Sequence, residues 1–522
     1  MKNHYYLLFT ICYLLFAISA NAQPGNLDSD FDSDGKLTVD FDSQNDRASA
    51  VAVQPDGKVI VAGYARIAGD DDFAMARFNT DGTLDATFGT VGKVTTSFSA
   101  NDDVALAMLL QPDGKIILAG NVYNGTYDFA MARYTSTGAL DNTFSDDGIL
   151  YTDFTNSADV CAAAALQPDG KIILAGEKYG QSLPEFALIR YNSDGSLDNT
   201  FGTGGKVTTA FGNSPSAASA KALAVQPDGK IIAAGLTWDD GINSYSYFAL
   251  ARYNADGSLD NTFSVDGKAT TVIGDEDGAL ANALVLQPNG YIVAAGFTRI
   301  TSNYYMALAR YKTDGTLDTG FDGDGKVITD NIPFTGHARA VVLQTDGKII
   351  AAGLYETNVL QSFGLVRLYQ DGSPDNTFGS GGAVYTSFDN NDASAYAAAI
   401  QPDLKIVLAG NMHNGVNFDF AVVRYLSGLN LGTLEFSPST SALIYPNPLN
   451  ETTVLSFELV TNEVLNISIY DMQGKQIKTL SENQFFAAGK HQLNINAASL
   501  ATGQYILELE NGKGKTVIRL QK

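Results

Sequence analysis

Few residues in this chain have the types and spacing that catalysis usually needs. Past residue 22 the histidines are His337, His413 and His491, in unrelated contexts, and the one cysteine is Cys161. No His/Cys metal spacing and no Ser-His-Asp set emerges, so neither a zinc site nor a hydrolytic triad is expected. Asp30-x-Asp32-x-Asp34-Gly35 opens like a calcium loop, but its twelfth position is Phe41 where a Glu ligand is needed. It reads as a solvated turn, with calcium the one cofactor left open. A lone cysteine cannot form an internal disulfide, so burial must hold the chain together.

Charge points the same way. The 522 residues include 57 acids and 33 bases, a net charge of −24, and residues 23–426 hold 49 of those acids against 25 bases. A surface this acidic repels nucleic acid and anionic lipid, so neither is an expected partner. Within the acidic region seven arginines recur at one register: Arg77, Arg133, Arg190, Arg252, Arg310, Arg367 and Arg424. One cation per repeat inside an apolar run calls for carboxylate or carbonyl partners, and each repeat supplies aspartates. The expectation is a structural arginine network.

These residues sit in an internal repeat. Gln-Pro-Asp-Gly-Lys begins at Gln54, Gln111, Gln167 and Gln226, with variants at Gln287, Gln344 and Gln401, at intervals of 57, 56, 59, 61, 57 and 57 residues. Leu-Asp-x-x-Phe elements keep step, with aspartates at Asp28, Asp85, Asp141, Asp198, Asp260, Asp318 and Asp375 in that element or its variant. Between residues 84 and 134 the unit reads as four strands, at 94–98, 105–111, 116–119 and 129–134. Pro-Asp-Gly between the second and third is turn chemistry. Strands apolar on both faces, such as Phe129-Ala130-Met131-Ala132, cannot have one side in water. Seven four-stranded units buried on both faces predict an all-β, seven-bladed β-propeller over residues 23–426. A strand at 35–41 precedes the first full unit and the last unit lacks one, so the N-terminal strand is expected to complete the last blade. These motifs resemble the delta-60 repeat family of bacterial β-propellers over about 400 residues. The resemblance implies architecture and no general activity.

Both ends carry addresses. Met1, Lys2, an apolar run from Tyr5 to Ala17 and Ala20-Asn21-Ala22 read as a signal peptide over residues 1–22, and no later run is long enough to span a membrane. Residues 427–440 read as a Ser/Gly/Thr linker, and 441–522 as a small β-sandwich. Tyr445-Pro-Asn-Pro, Ile469-Tyr-Asp-Met-Gln-Gly and Leu500-x-x-Gly-x-Tyr resemble the C-terminal sorting domain of the type IX secretion system. That resemblance implies that residues 441–522 engage the secretion machinery of a Bacteroidetes-type bacterium, for release or attachment at the outer-membrane surface.

In a four-stranded meander the Gln-Pro-Asp-Gly and Leu-Asp-x-x-Phe turns share one side, and they scarcely vary among the copies. The opposite side varies. It carries Tyr123, Tyr127, Trp238, Asp239 and Asp240, and the crossover acids Asp102, Asp103, Asp275, Glu276 and Asp277. Variable loops on a rigid frame are where ligands bind, and aromatics beside acids suit carbohydrate, so these residues other than Glu276 are the expected ligand contacts. The leading expectation is a non-catalytic binding or adhesion protein outside the cell, with glycan or a surface protein as partner. One rival is a polysaccharide-acting enzyme with two acids at the channel mouth, roughly 5–10 Å apart. The other is a structural surface-layer component.

Overall fold

The computed structural model describes residues 23–522 apart from 155–156, 180–182, 212–215, 240–244, 275–277, 333–334, 358, 430–441, 446–448, 450–451, 460–461, 473, 488, 499, 502 and 512–513. The proposed signal peptide therefore lies outside the described residues, as do Asp240, Asp275, Glu276 and Asp277. The chain divides into two compact units, Met1–Gly428 and Leu429–Lys522.

In the first unit, strand β1 (Lys36–Val39) is followed by β2 (Asp46–Val53), β3 (Val59–Ile67), β4 (Asp70–Phe78) and β5 (Lys93–Thr96). Strands β2 to β5 pair in order as one antiparallel sheet, blade 1, and five further four-stranded sheets repeat that order. Blade 7 combines Ala393–Ile400, Ile406–His413 and Phe418–Tyr425 with β1, whose Val39 lies opposite Phe420. Each blade thus takes its outermost strand from the start of the next sequence unit, and the N-terminus fills the place left over at the end. The ring is a seven-bladed propeller closed by main-chain pairing.

The sequence explains each level of this order. In the turn after β2, Gln54 exchanges backbone hydrogen bonds with Lys58 and Gly57, and Gly57 has φ of +85°, a conformation that a side chain would strain. Between blades, apolar side chains interdigitate. Phe31, Leu37 and Val39 pack with Val59, Val61 and Phe78 of blade 1 and with Val407 and Phe420 of blade 7. Burying each such side chain contributes about 2–3 kcal/mol. Tyrosines stitch the seams: the hydroxyls of Tyr134, Tyr191, Tyr253, Tyr311 and Tyr425 donate to Thr96, Thr152, Thr209, Thr271 and Thr386 of the preceding blade, at 2.7–2.9 Å.

The seven arginines are buried and each joins two repeats. Arg77 Nε donates to Asp85 at 2.8 Å, its Nη1 donates to the Ser136 carbonyl of the next repeat at 2.7 Å, and its guanidinium lies 4.3 Å from the Phe88 ring centroid. The pattern passes through Arg133, Arg190, Arg252, Arg310 and Arg367, which donate to Ser193, Ala255, Thr313, Gln370 and Ser427. Arg424 closes the circle, donating to Asp28 near the N-terminus and to the Thr80 carbonyl of the first repeat at 2.6 Å each. Burial alone would raise the aspartate pKa values. At Asp85, Asp141, Asp198, Asp260 and Asp375 this is outweighed by hydrogen bonds from neighbouring Thr, Lys or Tyr side chains and by the arginine charge, so the carboxyls stay well below the usual range. Because Arg367 holds the Ser427 carbonyl, and Ser427 is buried, the first linker residue is part of the propeller.

The second unit has a three-stranded sheet of Ala442–Tyr445, Thr452–Leu459 and Gly489–Asn496, and a four-stranded sheet led by Glu463–Asp471 and Gln504–Asn511. Leu455 and Phe457 of the first share a buried core with Leu465, Ile467, Leu507 and Leu509 of the second, which makes a β-sandwich. Its motifs are local devices. The Tyr505 hydroxyl donates to the Ala501 carbonyl at 2.9 Å, and Asp471 caps the turn at Gly474 by accepting from the Lys475 amide at 2.9 Å. Among the described residues no helix is long and apolar enough to cross a membrane.

Candidate functional site

All seven innermost strands carry a β-bulge at the same place, where the register skips one residue, as between Ala48 and Ala50. Opposite each bulge stands a glycine. At Gly63 a Cβ would lie 2.0 Å from the Arg47 carbonyl oxygen, so any side chain would abolish the bulge. A bulge re-aims the extra residue. The residues so displaced are Ser49, Leu106, Ala162, Lys221, Asn282, Arg339 and Tyr396, and all seven line one axial channel of about 700 Å³.

This channel is chemically uneven. Ser49, Leu106 and Ala162 form a small, neutral arc, whereas Lys221, Asn282, Arg339 and Tyr396 form a polar one. Arg47, Tyr64, Phe297 and His337 add to the lining, and no carboxylate lines it among the described residues. Three full cations in a lining that holds no acid stand out in a chain of net charge −24. The Arg339 guanidinium lies 4.1 Å from the Tyr396 ring centroid, and His337 packs 4.2 Å from Phe297 and 4.6 Å from Tyr304. Burial, with the Arg339 charge beside it, lowers the His337 pKa to about 4, so its ring is neutral at pH 7. Lys221 has Glu177 3.9 Å away. The arc thus sets cationic side chains beside aromatic walls.

The side chains expected to contact ligand lie elsewhere. Tyr123 and Tyr127 face each other across the hairpin of blade 2, with ring centroids 5.1 Å apart and each 38 % exposed. Trp238 and Asp239 end the second strand of blade 4, so blade 3 separates them from that pair. Asp102 accepts from the Asp71 amide at 3.1 Å in the crossover into blade 2. Asp103 requires correction. It is fully buried and accepts from the Phe98 amide at 2.6 Å, so it cannot present itself on an exposed face. Burial pushes its pKa up to about 6, with the Asp72 and Asp102 charges adding to the effect.

Asp103 belongs to a recurring position at the start of the innermost strand, shared by Asp46 and Asp159. Asp46 meets Asp40 and Asp419 at the seam of blades 7 and 1, and Asp159 meets Asp128 and Asp153 at the seam of blades 2 and 3. In each group one carboxylate oxygen from each residue lies within 4.8 Å of the others. Burial, reinforced by the neighbouring acids, raises Asp46 to about 7 and Asp159 to about 6. The Asp30–Asp34 stretch, by contrast, is a turn in which Asp34 accepts from the Lys36 amide at 2.9 Å. Cys161 is inert, its thiol pushed by burial up to about 12.

The sequence reading missed the channel, yet a signal was present. The displaced residue is always the fifth before the glutamine of the Gln-Pro-Asp-Gly turn or its variant, and this position alone changes from Ala162 to Arg339 within an otherwise apolar or small run.

Residues 54–88, 111–144, 167–201, 226–263, 287–321 and 344–378 match a β-propeller family described as a domain of unknown function, DUF5122. Residues 443–522 match the secretion system C-terminal sorting domain. No curated protein matches the chain. Among solved structures, a virginiamycin B lyase from Staphylococcus aureus is 12 % identical, with 74 % of this chain and 98 % of that one covered and a TM-score of 0.39. Polysaccharide lyase Uly1 is 11 % identical over 72 % and 89 %, TM-score 0.42. The β-propeller domain of the Trilobed protease from Pyrococcus furiosus is 9 % identical over 72 % and 94 %, TM-score 0.38.

Proposed function

From six DUF5122 β-propeller repeats joined to a secretion sorting domain, we propose a binding protein exported by the type IX machinery of a Bacteroidetes-type bacterium. It works outside the cell or on its outer surface, and its ligand is an anionic glycan held in the propeller channel. The observation that carries this reading is the acid-free, cationic lining of Arg47, Lys221 and Arg339 beside Tyr64 and Tyr396. Guanidinium groups take carboxylate or sulfate as a fork, and tyrosine faces stack on sugar rings. The volume of about 700 Å³ lies in the usual range for small-ligand sites.

The test is binding of the purified chain to uronate-bearing, sulfated and neutral polysaccharides. Anionic glycans should bind, more weakly as salt rises, and Arg339→Ala should weaken binding roughly tenfold or more, as loss of a charged hydrogen bond does. Folding is not at risk, because blade 3 carries Ala162 at this position. Preference for neutral glycans, or loss of binding through Trp238→Ala with Arg339→Ala silent, would overturn the channel in favour of the rim loops.

A second reading, an enzyme acting on the same polysaccharide, has one specific support. His337 is neutral at pH 7 and next but one to Arg339, the pairing of a proton acceptor with a cation that abstraction beside a uronate carboxylate requires. The two-acid version has no pair in the described channel lining. New unsaturated sugar ends in the binding assay would decide for the enzyme.

A further inference from the structure

We propose that the two three-aspartate seams, Asp40/Asp46/Asp419 and Asp128/Asp153/Asp159, are binding sites for a hard divalent cation, calcium, and that the first locks the propeller ring. In each seam two buried aspartates leave one carboxylate oxygen without a hydrogen-bond donor. Asp46 and Asp159 are fully buried, Asp128 and Asp419 nearly so, and the Oδ1 of each has no hydrogen-bond partner among the described residues. The opposite oxygens are anchored: Oδ2 of Asp46 accepts from the Phe41 amide at 2.7 Å, that of Asp159 from the Phe154 amide at 2.8 Å, and that of Asp419 from Asn414 at 2.9 Å. The free oxygens are thereby aimed at their neighbours.

The fold itself does not need these acids. At the register position of Asp46, blades 4 to 7 carry Ala218, Ala279, Gly336 and Ala393. Elsewhere these acids occur singly or in part: Glu185 stands at the seam of blades 3 and 4 beside Ala218, and Asp330 at the seam of blades 5 and 6 beside Gly336. Two seams have all three; the seam of blades 1 and 2 keeps Asp72 and Asp103 with Ser97; at the seam of blades 6 and 7 the positions are Ser362, Ser387 and Ala393. Among the described residues three such carboxylates converge at these two seams, at a cost in desolvation and mutual repulsion that a shared counter-charge would offset. The nearby lysines hydrogen-bond to the main chain, Lys93 donating to the Asp40 carbonyl at 2.5 Å and Lys206 to that of Asp153 at 2.6 Å, while the Lys206 and Lys178 charges only partly offset the burial of Asp128 and Asp159, whose pKa values stay raised. Oxygen-only ligands with three negative charges suit calcium, whose remaining positions water can fill. At the first seam the ligands come from the residue after β1, the start of β2 and the last blade, so one ion ties the N-terminal segment to both neighbours.

The test is calcium titration of the full chain after chelator treatment, by calorimetry and thermal unfolding. Wild type should take up two equivalents, with an affinity on the order of 10⁻⁴–10⁻³ M as in other extracellular modules, and its midpoint should rise. Asp46→Asn and Asp159→Asn should each lose one equivalent, and the double variant should lose both, together with the calcium-dependent rise. Circular dichroism checks that the variants fold, as the Ala and Gly of the other blades lead one to expect. Absence of calcium uptake by wild type, or undiminished uptake by the double variant, would overturn the proposal; the latter would assign the ions to the acidic surface.

Discussion

Leu404 is the one copy-specific departure in the turn after the innermost strand that carries a backbone cost. It sits at φ of +70°, where the corresponding Gly57, Gly114, Gly170, Gly229, Gly290 and Gly347 are left-handed without a side chain. The left-handed region costs a non-glycine residue about 1–2 kcal/mol, partly offset by the 0.5–1 kcal/mol entropy cost of glycine. Leu404→Gly should therefore stabilise the propeller by up to about 1 kcal/mol, read as a higher urea midpoint with unchanged slope. An unchanged or lower midpoint would mean that the half-buried leucine side chain contributes more than the strain removes. Single residues also decide the channel: one side chain per blade, re-aimed by a bulge, sets whether an arc is neutral or cationic.

At the scale of the element, the blade is held to its neighbour by the arginine network. Asp260 receives Arg252 at 2.8 Å and Lys230 at 3.1 Å, so Asp260→Asn leaves two cations short of their counter-charge, one of them buried. Breaking such a pair costs about 3–5 kcal/mol. The pH dependence follows from the depressed pKa. An aspartate whose folded value lies below the unfolded 3.8 contributes its stability above the unfolded value and loses it as pH falls through the folded one. The gap in unfolding midpoint between wild type and Asp260→Asn should thus be constant from about pH 8 to 5 and shrink below about pH 4. A gap as wide at the lowest pH where both fold would show that the charge of Asp260 is not what matters.

The whole molecule combines a ring that needs both chain ends with a sandwich whose family is an export signal. Leu37 and Val39 of β1 complete blade 7, so the propeller cannot close until its last blade has been made. The sandwich has its own core and lies in a separate compact unit, so its loss need not disturb the ring. Deleting residues 443–522 should therefore leave a folded propeller that is retained in the periplasm, detected by fractionation and by unchanged circular dichroism of the propeller. Recovery of the truncated chain in the medium at wild-type levels would remove the proposed role of the tail.

What the sequence determined by itself is what short-range periodicity encodes. The repeat spacing, the Pro-Asp-Gly turns and strands apolar on both faces specify seven antiparallel blades, and Arg77 meets Asp85 because eight residues of a tight meander bring them together. The missing strand of the last unit even marks where the N-terminus must go. The tertiary structure alone decided the rest, for a physical reason. A bulge has no side-chain signature except the glycine across from it, so the seven displaced residues read as ordinary strand positions until closure points them at one axis. The aspartate sets are equally silent in one dimension: Asp40, Asp46 and Asp419 look like solvated crossover or strand-end acids, and only ring closure brings them together, with Asp46 and Asp419 buried and Asp40 exposed. The rim residues drew attention because they vary, but variation locates exposed surface. The channel is where closure brings Arg47, Lys221 and Arg339, from three different blades, around one axis.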